Sequence, residues 1–277
     1  MIIVLKGADF SGDYVEKIDI GGLETAVSTM LSHLTKYPAS AQNAYAQALN
    51  TMYKGLVADG LWSKITLLSI PLLANAVAEV LYDCKTNTTE DSNALRTYFG
   101  LNAKNELYNS SAVPGSTQMG FQRTLNVNNV TLFGGFTKST GNEVIRLMGI
   151  SKHVATFLSV SGINFDTALG SPMGRVILAE TAVTWNDGPM VQRAFPNGVF
   201  VLSSKSGTVI YKDSSGEVQS TTSANEQETR VLPLLGESGS GSTFPGSCGI
   251  FGVATGLTQS EVTQLYNRIN QFYQTFN

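Results

Sequence analysis

The sequence predicts a mainly β protein: a sandwich of jelly-roll type, preceded by a strand and a helical hairpin and followed by one amphipathic helix. Ten short strand-like segments follow one another between residues 121 and 253, separated by turns rich in Gly, Asn and Ser. No segment with helical periodicity interrupts them, and many short antiparallel strands are typical of a jelly-roll sandwich. After residue 257, apolar residues instead recur every three or four positions, which is the period of a helix.

The chain divides into three predicted parts. Residues 1–59 form an assembly segment, residues 60–256 the β-sandwich, and residues 257–277 the C-terminal helix that packs on the sandwich. A chain of 277 residues can bury a substantial core and exceeds the usual size of one domain, so a large β domain with an added segment is expected.

The assembly segment begins with two predicted strands, Ile2–Leu5 and Tyr14–Ile20. An apolar strand at a chain end can pair with the sheet edge of a neighbouring molecule. Two amphipathic helices follow between residues 22 and 58, the first ending before Pro38 and the second capped by Ser40. Two short helices bury little surface alone, so their apolar faces should meet the main domain or another copy of the chain. The predicted assembly contacts are Ile2, Val4, Leu31, Tyr45 and Met52.

The sandwich is predicted from strands that follow in regular succession. Its first strand is the nearly continuous apolar run Ile65–Leu73, which Pro71 interrupts, and one short helix is predicted at Ala74–Tyr82. Asp213 and Gly216 suit the tight turn of a hairpin. The remaining predicted strands are Tyr98–Leu101, Phe121–Leu125, Val130–Phe136, Glu143–Ile150, Ala155–Val160, Val176–Trp185, Gly198–Ser203, Thr208–Lys212, Glu217–Thr221, Val231–Leu235 and Gly249–Val253.

The C-terminal helix carries the clearest local signal in the chain. Thr258 and Glu261 have the spacing of a capping box, in which each side chain binds a backbone N–H of the first turn. The capping box therefore places the helix start at Thr258. Beyond it, one apolar stripe needs a partner surface, which the β-rich body should provide; the stripe contains Val262, Leu265, Tyr266, Ile269, Phe272, Tyr273 and Phe276.

Charge and composition narrow the functional classes. Lys and Arg number 18 against 21 Asp and Glu, for a net charge of −3, and no basic run is present that could neutralise a phosphate backbone. We therefore expect no nucleic-acid partner. The N-terminus has neither a basic region nor a long apolar run, so no secretory signal and no membrane span are expected. Only 14% of the residues are charged, and a neutral polar surface suits a protein that is buried in an assembly or exposed to harsh surroundings.

The two cysteines, Cys84 and Cys248, have no metal-type spacing. Free buried thiols are the favoured interpretation, and a disulfide between them stays open. Only two histidines occur, His33 and His153, so a metal site or a Ser-His-Asp triad would depend on a single histidine. Gly239-Ser-Gly lacks the strand and helix that would flank a nucleophile elbow. We therefore expect no enzyme activity, no cofactor and no metal.

Two alternatives concern carbohydrate. Glu180 with Trp185 and Asp187 is the best remaining constellation, because an aromatic ring beside acids can stack on a sugar, although the favoured interpretation is a core tryptophan at Trp185 and a turn aspartate at Asp187. With Tyr211, and with Trp62 as a further candidate, these last two residues would form the glycan contact of a lectin-like module. A glycan hydrolase that uses Glu180 and Asp187 as its paired carboxylates is the fainter alternative.

Two stretches carry a resemblance to a known group. The segment Gly60-Leu-Trp-Ser-Lys-Ile-Thr-Leu-Leu resembles the opening of concanavalin A-like (laminin-G-like) sandwich domains of phage tail and virion proteins. The closing segment, Gly249-Ile-Phe-Gly-Val-Ala-Thr-Gly followed by Leu257-Thr-Gln-Ser-Glu-Val, is similar to the ending of that group, so the resemblance covers residues 60 to 277. The sequence departs from it over residues 83–118, where Asp-Cys-Lys-Thr-Asn stands in place of a frequent Asn-Trp.

The N-terminus resembles phage proteins as well. Leu5-Lys-Gly-Ala-Asp-Phe-Ser-Gly looks like the openings of structural proteins from phages and prophages of gut Bacteroides, including crAss-like phages. The resemblance implies a concanavalin A-like sandwich and carries no catalytic residue onto this chain.

Together these observations predict a non-enzymatic structural protein of a tailed-phage virion: a tail-fibre, appendage or capsid-decorating component. Its expected location is the virion, and its expected partners are other virion structural proteins and further copies of itself, with a host glycan as a further candidate. Residues 1–58 would bind other subunits while the sandwich presents its loops, and many copies would supply avidity. The alternative is the lectin-like module that contacts glycans of the host surface.

Overall fold

The structure is a computed structural model of the 277-residue chain. It describes residues 22–89, 99–109, 121–126, 129–138, 145–154, 157–166, 173–177, 191–193, 198–206, 208–221, 227–232 and 246–276. The predicted strands Ile2–Leu5 and Tyr14–Ile20 lie outside these residues.

The described residues include three α-helices and sixteen strands. The helices are α1 (Thr25–His33), α2 (Ala44–Ala58) and α3 (Gln259–Gln274). The strands are β1 (Ile65–Ser69), β2 (Tyr82–Asp83), β3 (Thr88–Thr89), β4 (Phe99–Leu101), β5 (Leu107–Asn109), β6 (Phe121–Asn126), β7 (Asn129–Lys138), β8 (Ile145–Val154), β9 (Phe157–Asp166), β10 (Met173–Ile177), β11 (Val191–Arg193), β12 (Gly198–Lys205), β13 (Thr208–Asp213), β14 (Gly216–Thr221), β15 (Gln227–Leu232) and β16 (Gly246–Thr255).

The strands form one large sheet and three smaller ones. The main sheet has eight strands in the order β14-β13-β12-β7-β16-β5-β4, and β1 pairs with β16 beside this path. A second sheet has the order β11-β10-β9-β8, while β15 pairs with β6 and β2 with β3. Every pairing among the described strands is antiparallel. The prediction of a mainly β, antiparallel protein with a C-terminal helix is confirmed.

The middle of the main sheet is buried on both faces. Helix α3 packs against β7, β12 and β13 on one face, which we call the helix face. Side chains alternate between the two faces of a strand, so the residues that point away from α3 follow from the register. Many of these far-face residues are at most 1% exposed, among them Val130, Leu132, Phe136, Phe200, Leu202, Val209, Tyr211, Phe251 and Val253.

Helices α1 and α2 extend the helix layer. Both contribute to the same hydrophobic core as the main sheet, through residues such as Val27, Leu49 and Leu56. At the end of α2, the Arg268 guanidinium of α3 binds Asp59, with Nε 2.8 Å from Oδ2. The predicted parts 1–59, 60–256 and 257–277 therefore share one core wherever the structure describes them.

The start of α2 differs from the prediction. Asn43, not Ser40, is the N-cap residue, and its Oδ1 accepts hydrogen bonds from the N–H groups of Tyr45 and Ala46 at 2.9 and 3.1 Å. Ser40 lies in the preceding turn, where its Oγ contacts Gln42. Both side chains are suitable caps, and the geometry of the connecting turn selects the later one.

The segment after β1 also differs. The predicted strand Ile65–Leu73 ends at Ser69 because Pro71 begins a short 3₁₀ helix, Pro71–Leu73. The predicted helix Ala74–Tyr82 is a 3₁₀ helix over Val77–Leu81, after which the chain enters β2. The sequence prediction also missed β5. Strand β10 begins at Met173, three residues before the predicted strand Val176–Trp185, and the part of that predicted strand after Ile177 lies outside the described residues.

The capping box of α3 is confirmed. The Glu261 carboxylate accepts from the Thr258 backbone N–H at 2.9 Å, and Lys64, which immediately precedes β1, donates to the same carboxylate. Burial raises the pKa of Glu261, but the hydrogen bonds from Lys64 and Thr258 outweigh it and lower the pKa to about 2. The five most buried apolar residues of α3 belong to the predicted stripe: Val262, Leu265, Ile269, Phe272 and Tyr273.

Two glycines of the main sheet let α3 approach closely. A Cβ built on Gly135 of β7 would lie 2.7 Å from the Tyr273 ring, and one on Gly249 of β16 would lie 2.8 Å from it. Real Cβ atoms do not come so close, so a side chain at either position would displace the ring. The missing side chains create the space in which Tyr273 lies against the sheet.

We predict that Gly135→Ala destabilises the protein by about 1–3 kcal/mol, the usual cost of overpacking a core. Gly22→Ala is the matched control, since a Cβ at Gly22 meets nothing within 4 Å. Urea denaturation of the two variants measures the difference. Equal stability of both would show that the ring does not depend on the glycine.

Candidate functional site

Of the three predicted assembly residues in the helical hairpin, Leu31 and Met52 are buried and Tyr45 is half-buried. Leu31 and Met52 are each 3% exposed and belong to the hydrophobic core. The half-buried Tyr45 stacks on Tyr37, with ring centroids 4.1 Å apart, and on Phe276 of the chain's own C-terminus at 4.8 Å. Leu31 and Met52 are therefore not available to another subunit. The hairpin packs on the main body, which was one of the two predicted arrangements.

Ile2 and Val4, the other two predicted assembly contacts, lie outside the described residues. So do Trp185, Asp187 and Glu180 of the carbohydrate hypotheses.

Tyr211 does not lie on a surface. It is 1% exposed and points to the far face of the main sheet, where its ring centroid is 6.3 Å from that of Phe200. A residue that stacks on a sugar needs an open ring face. The prediction of Tyr211 as an exposed glycan contact is corrected accordingly: strand alternation turns its ring inward, whereas Lys212 faces α3.

Trp62 is half-buried and contacts residues of its own chain. The edge of its ring meets Tyr53, with centroids 5.0 Å apart, and the Lys85 ammonium lies 4.7 Å from the ring centroid. Lys85 Nζ also donates to the Trp62 carbonyl oxygen at 2.7 Å. This cation–π contact occupies one ring face that a stacked sugar would need.

The most unusual polar group that the structure describes is Glu106, which precedes β5. It is 1% exposed, and its carboxylate accepts hydrogen bonds from Thr137 of β7 at 2.7 Å and from Tyr273 of α3 at 2.8 Å. Asn102 Nδ2 donates at 3.0 Å and Ser247 Oγ of β16 donates to the same oxygen. Four side chains from four parts of the chain thus converge on one carboxylate. We call this group the Glu106 cluster.

The hydrogen bonds stabilise a charge in the interior. Burial raises the pKa of the Glu106 carboxyl, but the donors Ser247, Thr137, Asn102 and Tyr273 more than compensate, so that its pKa lies below the ordinary value. Glu106 is therefore ionised at neutral pH. Burial, and then the nearby Glu106 charge, raise the pKa of the Tyr273 hydroxyl, which stays protonated and keeps donating.

The Glu106 cluster has a structural role, because it holds α3 on the main sheet. Its carboxylate is enclosed, so a substrate has no path to it, while its partners belong to the main sheet and to α3. A buried charge whose hydrogen bonds are all made holds these elements in one arrangement, and losing a partner is costly. The neighbouring thiol of Cys248 is buried and free, as is that of Cys84. Burial and then the Glu106 charge raise the pKa of Cys248, so this thiol is unreactive.

Sequence reasoning missed Glu106. The residue ends a polar loop, Asn102-Ala-Lys-Asn-Glu, that looks like solvated surface. Its partners Thr137, Ser247 and Tyr273 are 31, 141 and 167 positions away. The one local signal was the pair of asparagines: Asn105 has a φ of 62°, and Asn102 Oδ1 accepts from the Glu106 N–H at 2.9 Å.

A small cleft lies between α2 and α3. Its volume is about 90 Å³, and its lining includes Thr51, Met52, Arg268 and Phe272. Ligand pockets for small molecules are several times larger, so the cleft has room for about one side chain.

The described residues contain no candidate for a metal site. Within those residues no group of three or more His, Cys, Asp and Glu could hold a metal ion. His33 stacks on Tyr82, with ring centroids 4.3 Å apart. None of the described helices is both long enough and apolar enough to cross a membrane.

Comparison with known proteins gives weak structural neighbours. No family model and no curated protein matches the chain. The leech intramolecular trans-sialidase complexed with 2,7-anhydro-Neu5Ac matches at 11% identity and a TM-score of 0.40, over 56% of this chain and 27% of that one. Trypanosoma rangeli sialidase in complex with sialic acid matches at 10% identity and a TM-score of 0.39, over 79% of this chain and 38% of that one.

A structure of NanB plus Optactamide matches at 15% identity and a TM-score of 0.38, over 54% of this chain and 27% of that one. This chain thus spans well under half the length of these solved chains. At such identities and TM-scores the similarity carries no argument about substrate, partner or reaction.

These comparisons correct one prediction. The structural neighbours are named as sialidases and trans-sialidases, which does not agree with the expectation of a non-enzymatic chain, and at these TM-scores the match shows no activity for this chain either. We withdraw that expectation. It rested on the lack of a recognisable sequence motif, and a fold can bring catalytic groups together from distant positions without one.

We predict that Glu106→Gln destabilises the protein by about 1–3 kcal/mol, because the four donors lose their ionised acceptor. Glu217→Gln is the control, since Glu217 is only partly buried and accepts from Gln259 on the surface. Urea denaturation at pH 7 compares the two. Equal losses would mean that the buried charge has no special role.

The pH dependence gives a second readout for the same variant. A carboxyl whose folded pKa is lowered contributes stability that is complete above its unfolded pKa, about 4.3, and is lost as the pH falls through the folded pKa. Between pH 5 and pH 2 the wild type should therefore lose more free energy of unfolding than Glu106→Gln. Glu261, whose pKa is lowered to about 2, contributes the same slope to both proteins. Parallel curves would contradict the assignment.

Proposed function

We propose that the chain is a structural component of a phage virion, such as a tail-fibre, appendage or capsid-decorating protein, and that it acts by assembly with other virion proteins and with copies of itself. The leading segment, residues 1–21, is the proposed binding element. The observation that supports this proposal is the set of contacts by which residues 22–58, which directly follow that segment, are attached to the main sheet and α3.

This fastening begins at the first described residues. The Glu24 N–H donates to Asn50 Oδ1 of α2 at 2.9 Å, and Asn50 is 4% exposed. The half-buried Leu23 packs against the core, and Val27, Met30 and Leu31 of α1 are buried in it. The attachment point of the leading segment is therefore held by backbone and side-chain contacts at once.

The contacts at the base of the leading segment continue from helix to helix into the main sheet. Helices α1 and α2 pack on each other, α2 packs on α3, and α3 packs on β12. Arg268 of α3 forms bidentate hydrogen bonds with the Asp59 carboxylate. These hydrogen bonds lower the pKa of the Asp59 carboxyl. An element that binds a neighbour gains affinity when its base is held rigidly, because less freedom is lost on binding.

We further infer that the β body is a two-layer sandwich of the jelly-roll, concanavalin A-like type. The supporting observation is the burial of the far-face residues, among them Phe136, Phe200 and Phe251, which are 0% exposed although they point away from α3. Side chains on that face need a second layer to cover them. The sheets β8–β11 and β6-β15 would provide it.

Many copies of one weak contact suit a virion, because linked contacts multiply their effect. Mass spectrometry of purified particles of the phage that encodes the chain should detect the protein in stoichiometric amounts. Its absence from particles that carry the other structural proteins would contradict the virion location.

The assembly proposal predicts that Ile2→Asp and Val4→Asp each abolish self-association. The two residues lie on one side of the predicted strand, and a buried charge there would oppose binding. Light scattering after size-exclusion chromatography should report an oligomer for the wild type and a monomer for both variants, with unchanged thermal stability.

Val57→Asp is the matched control for these variants. Val57 lies on α2 and is the large hydrophobic residue that the described surface exposes most, at 48%. The same charge introduced there should leave the oligomer intact. A monomeric wild type, or an oligomer that survives Ile2→Asp and Val4→Asp, would overturn the proposed function.

A further inference from the structure

We infer that the outer edge of β14 is the acceptor for the leading strand, and that residues Ile2–Leu5 of a second copy pair with it. This inference rests on the proposed function and adds to it the surface at which the copies meet.

The register of the β13–β14 hairpin shows which backbone groups of β14 are turned outward. Asp213 pairs with Gly216 across the two-residue loop, so these two residues exchange both backbone hydrogen bonds. Alternation along the strand then directs the N–H and C=O groups of Glu217, Gln219 and Thr221 away from β13. They form a row of donors and acceptors along the end of the main sheet.

Strand β14 ends the main sheet. Among the described strands it pairs with β13 only, while β11 lies near it but pairs with β10. Its six residues make it longer than β4, which ends the sheet on the other side with three residues. An edge of this length is a template on which a strand from another molecule can add.

Contacts with α3 hold this edge in place. The Glu217 carboxylate accepts from Gln259 Nε2 at 2.6 Å and from Thr263 Oγ1 at 3.4 Å. On the adjacent β13, the Lys212 ammonium lies 5.3 Å from the centroid of the Tyr266 ring. At the loop, the Ser215 N–H donates to Asp213 Oδ1 at 2.7 Å. The backbone of β14 is therefore already ordered as a strand edge, so β14 loses little conformational entropy when a second strand binds.

The leading strand suits this edge chemically. Ile2–Leu5 reads Ile-Ile-Val-Leu, three β-branched residues with high strand propensity followed by a leucine, and it contains no proline. Pairing by main-chain hydrogen bonds does not depend on which side chains β14 carries, so polar residues such as the exposed Gln219 are compatible with it. Residues 6–21, which join this segment to the described body, can span at most about 55 Å when extended.

The test removes one outward-facing backbone N–H group of β14, that of Gln219. Gln219→Pro removes the donor and introduces a ring at the edge, whereas Gln219→Ala keeps the N–H and serves as the control. We expect Gln219→Pro to weaken self-association about tenfold or more in light scattering, while Gln219→Ala associates like the wild type. Both variants should remain folded by circular dichroism.

A cross-link keeps the inference testable if Gln219→Pro does not fold. Val4→Cys protein mixed with Gln219→Cys protein should form a disulfide-linked dimer under mild oxidation, since the native Cys84 and Cys248 are buried. Val4→Cys mixed with Val57→Cys should not. The absence of the first cross-link in a chain that associates would overturn the inference.

The outcomes separate the two proposals. If Ile2→Asp and Val4→Asp abolish association and Gln219→Pro does not, the leading strand binds at another surface and only the β14 assignment fails. If the wild type does not associate, or if it associates regardless of Ile2 and Val4, the proposed function fails and the β14 assignment fails with it.

Discussion

The ring of Tyr273 reaches a buried carboxylate only because two strands beneath it carry glycines. Gly135 and Gly249 leave the space in which the ring lies on the sheet, and the hydroxyl at its tip then donates to Glu106. Glu106 in turn accepts from Thr137 of β7 and Ser247 of β16. One contact thus combines close packing with an ionic hydrogen bond, and it sets the position of α3 on the main sheet.

The position of α3 determines the rest of the helix layer. Helix α2 packs on α3 and is bonded to it through Asp59 and Arg268, and α1 follows α2. The buried apolar residues of the hairpin, such as Leu31 and Met52, pack inside the molecule and are not available to a neighbouring subunit. The proposed assembly element is therefore residues 1–21, which directly precede the hairpin. The Glu106 cluster and the proposed assembly element are therefore linked through one stack of helices.

Local signals in the sequence predicted the elements well. The capping box at Thr258 and Glu261, the apolar stripe of α3 and most strands could be read from short-range patterns, because hydrogen bonding and burial there depend on neighbouring positions. Contacts between residues more than a hundred positions apart in the sequence could not be predicted in this way. Glu106 looked like surface, and Tyr211 looked available, since only the register of β13 turns its ring inward. The predicted Trp185 and Asp187 lie outside the described residues.

Native-state hydrogen exchange tests the central claim most directly. If α3 is fixed to the sheet by Tyr273 and Glu106, the amides of α3, β7 and β16 should open together, with one free energy equal to that of global unfolding and one dependence on denaturant. Exchange of α3 amides at a much lower free energy, while β7 and β16 stay protected, would show that the helix is an independent element and would contradict the account.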